Sequence, residues 1–214
     1  MPPRPMPFIV PIRSLGPGHR ERIAGHLLSL DAHDRYLRFG YMATDEQVRR
    51  YADQLDFERD EIFGIYNRRL ELLAVAHLAF ASDARFAGCA EFGVSVLARA
   101  RGRGFGARLF DRAVMHARNE GVDMLFIHAL SENAAMLKIA RKAGAILERD
   151  GSETEAHLRL PPATLDSRLN EMVDEQLARG DYRLKRQARS FWDFLDGVQE
   201  VRQGVREGRH KSGS

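Results

Sequence analysis

Residues 99–110 read RARGRGFGARLF, with glycine at 102, 104 and 106 and arginine at 101 and 103, running straight into a helix-like pattern. A glycine-rich turn that enters a helix leaves main-chain amides without internal acceptors, because the first four N–H groups of a helix have none. Those donors converge on one point. The helix dipole adds about 0.3–1 kcal/mol for an anion held there, and glycine lets a phosphate approach with no Cβ in the way. Arg101 and Arg103, if well oriented, add charge-assisted hydrogen bonds of about 1.5–3 kcal/mol each. The chemistry open to this stretch is the holding of a phosphate; a nucleic-acid surface and a solvated turn are its competitors.

Which phosphate is narrowed by what is missing. A Walker loop needs Lys and then Ser or Thr after its last glycine, and here Gly106 is followed by Ala107 and Arg108. A dinucleotide fold wants its glycines directly after the first strand, with an acidic residue about 20 positions on. This loop comes far too late in the chain for that.

The elements that must position the loop can be read from periodicity. FIVPIRSL (8–15) reads as a strand; GHRERIAGHLLSL (18–30) places Ile23, Leu27 and Leu30 near one helical face; Thr44 with Gln47 three residues on has capping-box spacing for a second helix. EIFGIYN, ELLAVAHLAFA and FAGCAEFGVSVL form three strand-like runs split by short turns, the pattern of an antiparallel meander. Residues 106–120 then put Leu109, Ala113 and Ala117 on one helical face, with Gly121 as a stop. MLFIHAL is a strand, NAAMLKIARKAG a short helix, and AILERD with TEAHLRL a closing strand pair. The expected order is β, α, α, β, β, β, α, β, α, β, β. Ahead of it, residues 1–7 are too proline-rich for a regular element and read as a flexible arm; after Pro161 and Pro162, residues 163–214 read as a helical extension with a disordered end.

With element order and loop together, VSVLARARGRGFGARLF resembles the acyl-CoA loop of the GCN5-related N-acetyltransferases (GNAT), whose pattern is Arg/Gln-x-x-Gly-x-Gly/Ala. Arg101, Gly104 and Gly106 fill its fixed places, Val96 sits where the family's fourth strand ends, and NAAMLKIARKAG resembles the family's following helix. The match covers residues 8–160 in element order, so 8–162 is expected to be the acetyltransferase domain. The resemblance implies an α/β (α+β) fold, a mixed and mostly antiparallel six- to seven-stranded sheet flanked by helices. It implies that the amides of Gly102, Arg103, Gly104, Phe105, Gly106 and Ala107 hold the pyrophosphate of acetyl-CoA, the co-substrate. It also implies that strands four and five splay apart and that pantetheine bonds to backbone near Val94 and Val96.

Attack of an amine on a thioester needs neutral nitrogen, and an amine with a lysine-like pKa near 10.4 is neutral only about once in a few thousand at pH 7. General-base help is worth roughly 10² to 10⁴ in rate. The candidate is Glu91, which alternation sets with Gly93 and Ser95 on the face opposite Ala90, Phe92, Val94 and Val96. Its position resembles the glutamate base of the histone-acetyltransferase branch; the plain alternative is a glutamate at the solvated end of a strand. Where many relatives carry a tyrosine acid, this chain has Ala140. A thiol of pKa about 8.5 leaves fairly well unprotonated, so an acid contributes less than the base. Ser131 or His128 could substitute, although a strand histidine is more often a bonded core residue. Asn133 either contacts the cofactor or caps its helix, or does both.

The acceptor is expected to be a primary amine, on a small molecule or a protein lysine. In DAHDRYLRFGYMATDE, Asp31, Asp34, Asp45 and Glu46 would suit a cationic acceptor and Tyr36, Phe39 and Tyr41 could line its pocket; ordinary helix packing is the alternative. The tail carries two apolar stripes, Leu165, Leu169, Met172, Val173 and Leu177, then Phe191, Trp192, Phe194, Leu195, Val198 and Val201, which must be covered by the domain or by a second copy in a homodimer.

Composition bounds the rest. The chain has 214 residues, 44% of them apolar and 29% charged, as expected for a soluble globular protein. A net charge of only +3, with acids spread among the arginines, disfavours a nucleic-acid partner. The single cysteine, Cys89, forbids an intrachain disulfide, and nothing in the sequence offers the base that would make it a nucleophile. His19, His26 and His33 are spaced too widely to share a metal. No apolar run reaches the roughly 18 residues that span a bilayer, and the start lacks a signal-peptide core, so a cytoplasmic location and no membrane partner are expected. Two functional readings follow: an N-acetyltransferase working by direct transfer in a ternary complex, and a catalytically silent acyl-CoA sensor.

Overall fold

The computed structural model describes residues 10–82, 86–164 and 168–179. The proline-rich arm at 1–7 and the second apolar stripe of the tail, at 191–201, lie outside the described residues.

Among the described residues seven strands form one sheet: β1 (Arg13–Ser14), β2 (Glu61–Tyr66), β3 (Leu72–Phe80), β4 (Cys89–Val96), β5 (Met124–Leu130), β6 (Ile146–Asp150) and β7 (Glu153–Arg159), in the order β1-β2-β3-β4-β5-β7-β6. Neighbours run antiparallel except β4 and β5, which are parallel and joined by a crossover helix. Of the strand expected at 8–15, the described residues begin at 10, and among them Arg13 and Ser14 pair, with Gly64 and Phe63, while Pro11 has no N–H to give to a ladder.

The helices are α1 (Arg20–Leu28), α2 (Ala32–Phe39), α3 (Asp45–Asp53), α4 (Phe105–Asn119) and α5 (Ala134–Lys142). The capping box of α3 forms: Gln47 N–H donates to Thr44 Oγ1 at 3.3 Å and Thr44 N–H to Gln47 Oε1 at 2.9 Å. Helix α2 has no counterpart in the sequence-based element order. Its eight residues bury no apolar stripe, and what makes it a helix is its ends: Asp31 Oδ1 accepts from Asp34 N–H at 2.8 Å, and Gly40 closes it at φ 79°.

Alternation along β4 sorts the helices onto the two faces of the sheet. Phe92 meets Phe110 of α4 edge to face, with centroids 5.1 Å apart, an arrangement worth about 0.5–1.5 kcal/mol beyond area burial. Leu109, Ala113 and Ala117 of α4 are fully buried on that side. On the other face, Ser95 meets His26 of α1, and Gly93 lies under Arg38 of α2.

Residues 168–179 are helical and dock on α4 through polar groups: Glu171 pairs with His116 at 2.5 Å, with Arg112 at 3.6 Å, and with Asn119. The described part of the first tail stripe is not buried on the domain. Leu169, Met172, Val173 and Leu177 are exposed, because the charged side of this helix found partners on α4 and the apolar side turned outward. Among the described residues no helix is long and apolar enough to cross a membrane.

Candidate active site

Beyond β4 the chain makes a short 3-10 turn at Ala98–Ala100, passes Gly102 at φ 74° and Gly104 at φ 75°, and enters α4 with no side-chain cap. Two left-handed residues so close together need glycine, since an L side chain there costs about 1–2 kcal/mol. Among the described residues, the amides of Gly102, Arg103, Gly104, Phe105, Gly106 and Ala107 have no acceptor in the protein; the first helical bond is Arg108 N–H to the Gly104 carbonyl at 3.1 Å. Gly106 has a packing reason as well: a Cβ there would lie 3.3 Å from Ile139 Cδ1 and 3.9 Å from Val96 Cγ2.

Next to this loop the sheet opens. The β4–β5 ladder holds at Cys89 with Met124, Ala90 with Leu125 and Glu91 with Phe126, then stops, although β4 continues to Val96 and β5 to Leu130. A cavity of about 670 Å³ follows the opening, between α2, the last residues of β4, the glycine loop and α5. Val94, Val96, Arg101, Gly102, Gly104, Phe105, Gly106, Ala107 and Asn133 line it; Arg103 and Glu91 do not. Asn133 caps α5 by accepting from Met136 N–H at 3.1 Å while standing in the wall. Arg101 turns back to pair with buried Asp34, tying the loop to α2, and Arg103 stacks over Phe105 with Cζ 4.7 Å from the ring centroid.

Glu91 stands at the vertex where the strands part. It is 57% exposed, and its Oε1 lies 3.3 Å from His128 Nδ1, whose Nε2 lies 3.5 Å from Glu155. His128 is therefore a surface residue flanked by two carboxylates and not a core histidine. Ser131 is engaged with Thr154 Oγ1 at 2.9 Å and the Glu153 carbonyl at 3.2 Å, and Ala140 is fully buried. Cys89 is a free thiol, half-buried at the start of β4. No group of His, Cys, Asp and Glu among the described residues could hold a metal ion.

The acids expected to draw a cation are otherwise occupied. Asp31 caps α2, Asp34 pairs with Arg101, Asp45 with Arg35 at 2.6 Å and Glu46 with Arg50 at 3.1 Å. Tyr36, Phe39 and Tyr41 are not in the cavity wall either; α2 contributes Asp34, Leu37 and Arg38. Arg38 Nη2 donates to the Tyr51 hydroxyl at 2.7 Å, which lies 2.7 Å from His77 Nδ1, and His77 Nε2 lies 3.0 Å from Asp60 Oδ2. Sequence reasoning missed this chain because its members come from α2, α3, β3 and the turn before β2, with no fixed spacing to betray them. His26, also missed, is fully buried: Nδ1 donates to the Leu72 carbonyl at 2.9 Å and Nε2 accepts from Ser95 Oγ at 2.8 Å. Burial pushes its pKa down to about 4.

The family model described as the acetyltransferase (GNAT) family matches residues 28–145. Among solved structures, the fold is similar to the GNAT domain of S. lividans PAT, with TM-score 0.59 and 20% identity over 70% of this chain and 89% of that one. It is also similar to an acetyltransferase of the GNAT family from Streptococcus pneumoniae, with TM-score 0.57 and 14% identity over 70% and 98%. A third similar structure is the ribosomal-protein-alanine N-acetyltransferase from Brucella melitensis, with TM-score 0.53 and 16% identity over 70% and 99%. No curated protein matches the sequence.

Proposed function

The chain belongs to the acetyltransferase (GNAT) family, and from that premise we propose that it is an acetyl-CoA-dependent N-acetyltransferase acting on a primary amine by direct attack in a ternary complex. One observation carries this reading: the uncommitted amides of residues 102–107 stand at the end of β4, beside the gap where β4 and β5 part.

In this reading the amides of 102–107 and the N-terminus of α4 take the diphosphate, and the backbone near Val94 and Val96, paired with β3 on one side only, takes the pantetheine arm. Arg101 serves mainly by fixing the loop to α2 through Asp34, and Asn133 adds a polar wall group. The bound thioester supplies an acyl carbon; the amine nitrogen forms the new C–N bond as the C–S bond breaks, and of the two protons the ammonium gives up, one goes to solvent and the other balances the thiolate. Glu91 accepts a proton through a water at the vertex of the gap, and the Glu91, His128 and Glu155 row gives that proton a way out to solvent. With Ala140 buried and Ser131 engaged, departure of the thiolate proceeds without a dedicated acid.

The test is a turnover screen of acetyl-CoA against amines and proteins, read by thiol release, beside calorimetry with CoA. Amine-dependent thiol release is the expected result. Absence of heat with millimolar CoA would overturn the reading, and tight CoA binding with silence across a broad panel would favour the sensor.

A further inference from the structure

Among the described residues, three cations that line the cleft have no carboxylate within ion-pair distance, Lys138 and Lys142 on α5 and Arg38 on α2, and of these Arg38 is the one held against β4. The acids of α2 and its flanks are spent on caps and ion pairs within the protein. Arg38 lines the cavity, and among the described residues no carboxylate lies within ion-pair distance of its guanidinium.

That guanidinium is held in place. Its Cζ lies 5.2 Å from the Tyr51 ring centroid and 5.3 Å from that of Phe39. A guanidinium can only donate, so Nη2–H goes to the Tyr51 oxygen and the Tyr51 hydrogen is directed at His77 Nδ1. His77 then gives its Nε2–H to Asp60, whose other oxygen accepts the Phe80 amide at 3.2 Å. The sequence of bonds needs a neutral imidazole, and burial holds His77 below the ordinary histidine pKa. Beneath Arg38 is Gly93, where a Cβ would lie 3.0 Å from Arg38 Cζ, so the guanidinium rests on bare backbone. Gly93 shares a strand face with Glu91 two residues away, roughly 7 Å along the strand. A braced, partly buried guanidinium therefore faces the cleft one strand repeat from the candidate base, and among the described residues its Nη1 and Nε hydrogens have no acceptor.

We propose that Arg38 binds the carboxylate of the acceptor, so that the acceptor is a small amine bearing an acid group, as in a free α-amino acid. The inference rests on the N-acetyltransferase reading. A planar guanidinium matches a carboxylate through two parallel hydrogen bonds, and inside a cleft such a pair is stronger than in open water. An acceptor carrying only an ammonium would instead meet the uncompensated charge of Arg38. Arg38 is thus a positioning and specificity residue: with the acid group fixed over Gly93, the amine is left free to face the widening between β4 and β5.

The experiment is calorimetry of α-amino acids and their N-acetyl derivatives, each paired with its carboxamide, against the protein with and without CoA, together with thiol release from acetyl-CoA. Wild-type protein should bind at least one acid tenfold or more tightly than its amide. Arg38→Gln should erase that difference while CoA affinity stays within twofold and the melting curve is kept; Arg38→Lys should restore part of it. Tyr51→Phe, which keeps the charge and removes its brace, should narrow the difference. Amides binding as well as acids, an acid preference that survives Arg38→Gln, or no carboxylate binding at 10 mM would overturn the inference. Acid binding without thiol release would refute the transferase reading and leave the Arg38 assignment standing. Thiol release equally fast with amines lacking an acid group would do the reverse.

Discussion

Changing Gly102 and Gly104 together to alanine isolates backbone conformation from packing. A Cβ at either position meets nothing within 4 Å, so no side-chain clash contributes; what changes is the energy of holding φ at 74° and 75° with an L-residue. At about 1 kcal/mol each, the low end of that penalty, the double variant carries about 2 kcal/mol of strain. If the free loop relaxes, the strain must be restored on binding, and CoA affinity falls by roughly 30-fold, since about 1.4 kcal/mol is tenfold. If the loop stays as it is, the strain is expressed in the folded state and the melting temperature drops by about 4–8 °C. Calorimetry with CoA and with pantetheine, which lacks the diphosphate, run beside thermal melts, measures both branches. Unchanged affinity together with an unchanged melting temperature would refute the argument, and so would an equal loss of CoA and pantetheine binding, because in the proposed binding mode only the diphosphate meets these amides.

Glu91→Gln should lower turnover at least tenfold with CoA affinity intact; unchanged turnover would remove Glu91 as the base. His26, with a folded pKa of about 4 against 6.5 unfolded, binds its proton more readily in the unfolded chain, so its contribution is fully present above pH 6.5 and lost as pH falls to about 4. The loss is about 3 kcal/mol at 1.36 kcal/mol per pH unit, and His26→Gln should remove that part of the pH slope in urea unfolding; identical slopes would contradict it. Thr44→Ala takes away one arm of the capping box and should destabilise by about 1 kcal/mol in the same assay, with CoA binding untouched.

What could be read from the sequence is what periodicity and turn chemistry carry locally. The face of α4 at Leu109, Ala113 and Ala117, the caps of α3 and α5, and the glycine loop each declare themselves within a dozen residues. Helix α2 escaped because it is short and its signal lies in Asp31 and Gly40 and not in an apolar stripe. The acids near it suggested a cationic acceptor only while their partners were unknown; Arg101 reaches Asp34 across 67 positions, and no spacing rule reveals that. Arg38 hid for the same reason, since its meaning depends on Tyr51, His77, Asp60 and Gly93. The outward turn of Leu169, Met172, Val173 and Leu177 was equally invisible, as it was decided by Glu171 finding His116 and Arg112.

The three-residue seam between β4 and β5 makes the sheet two leaves on a short spine. A thioester carrier lying between the leaves would contribute main-chain-like rungs of its own, so it would act as a strut in the architecture while serving the chemistry. Deuterium uptake would then fall along the inner margins of both leaves when CoA is added, with the outer strands β1 and β6 unaffected. The same seam ties catalytic readiness to mechanical integrity: whatever loosens the spine at Cys89–Glu91 also loosens the residue expected to take the proton.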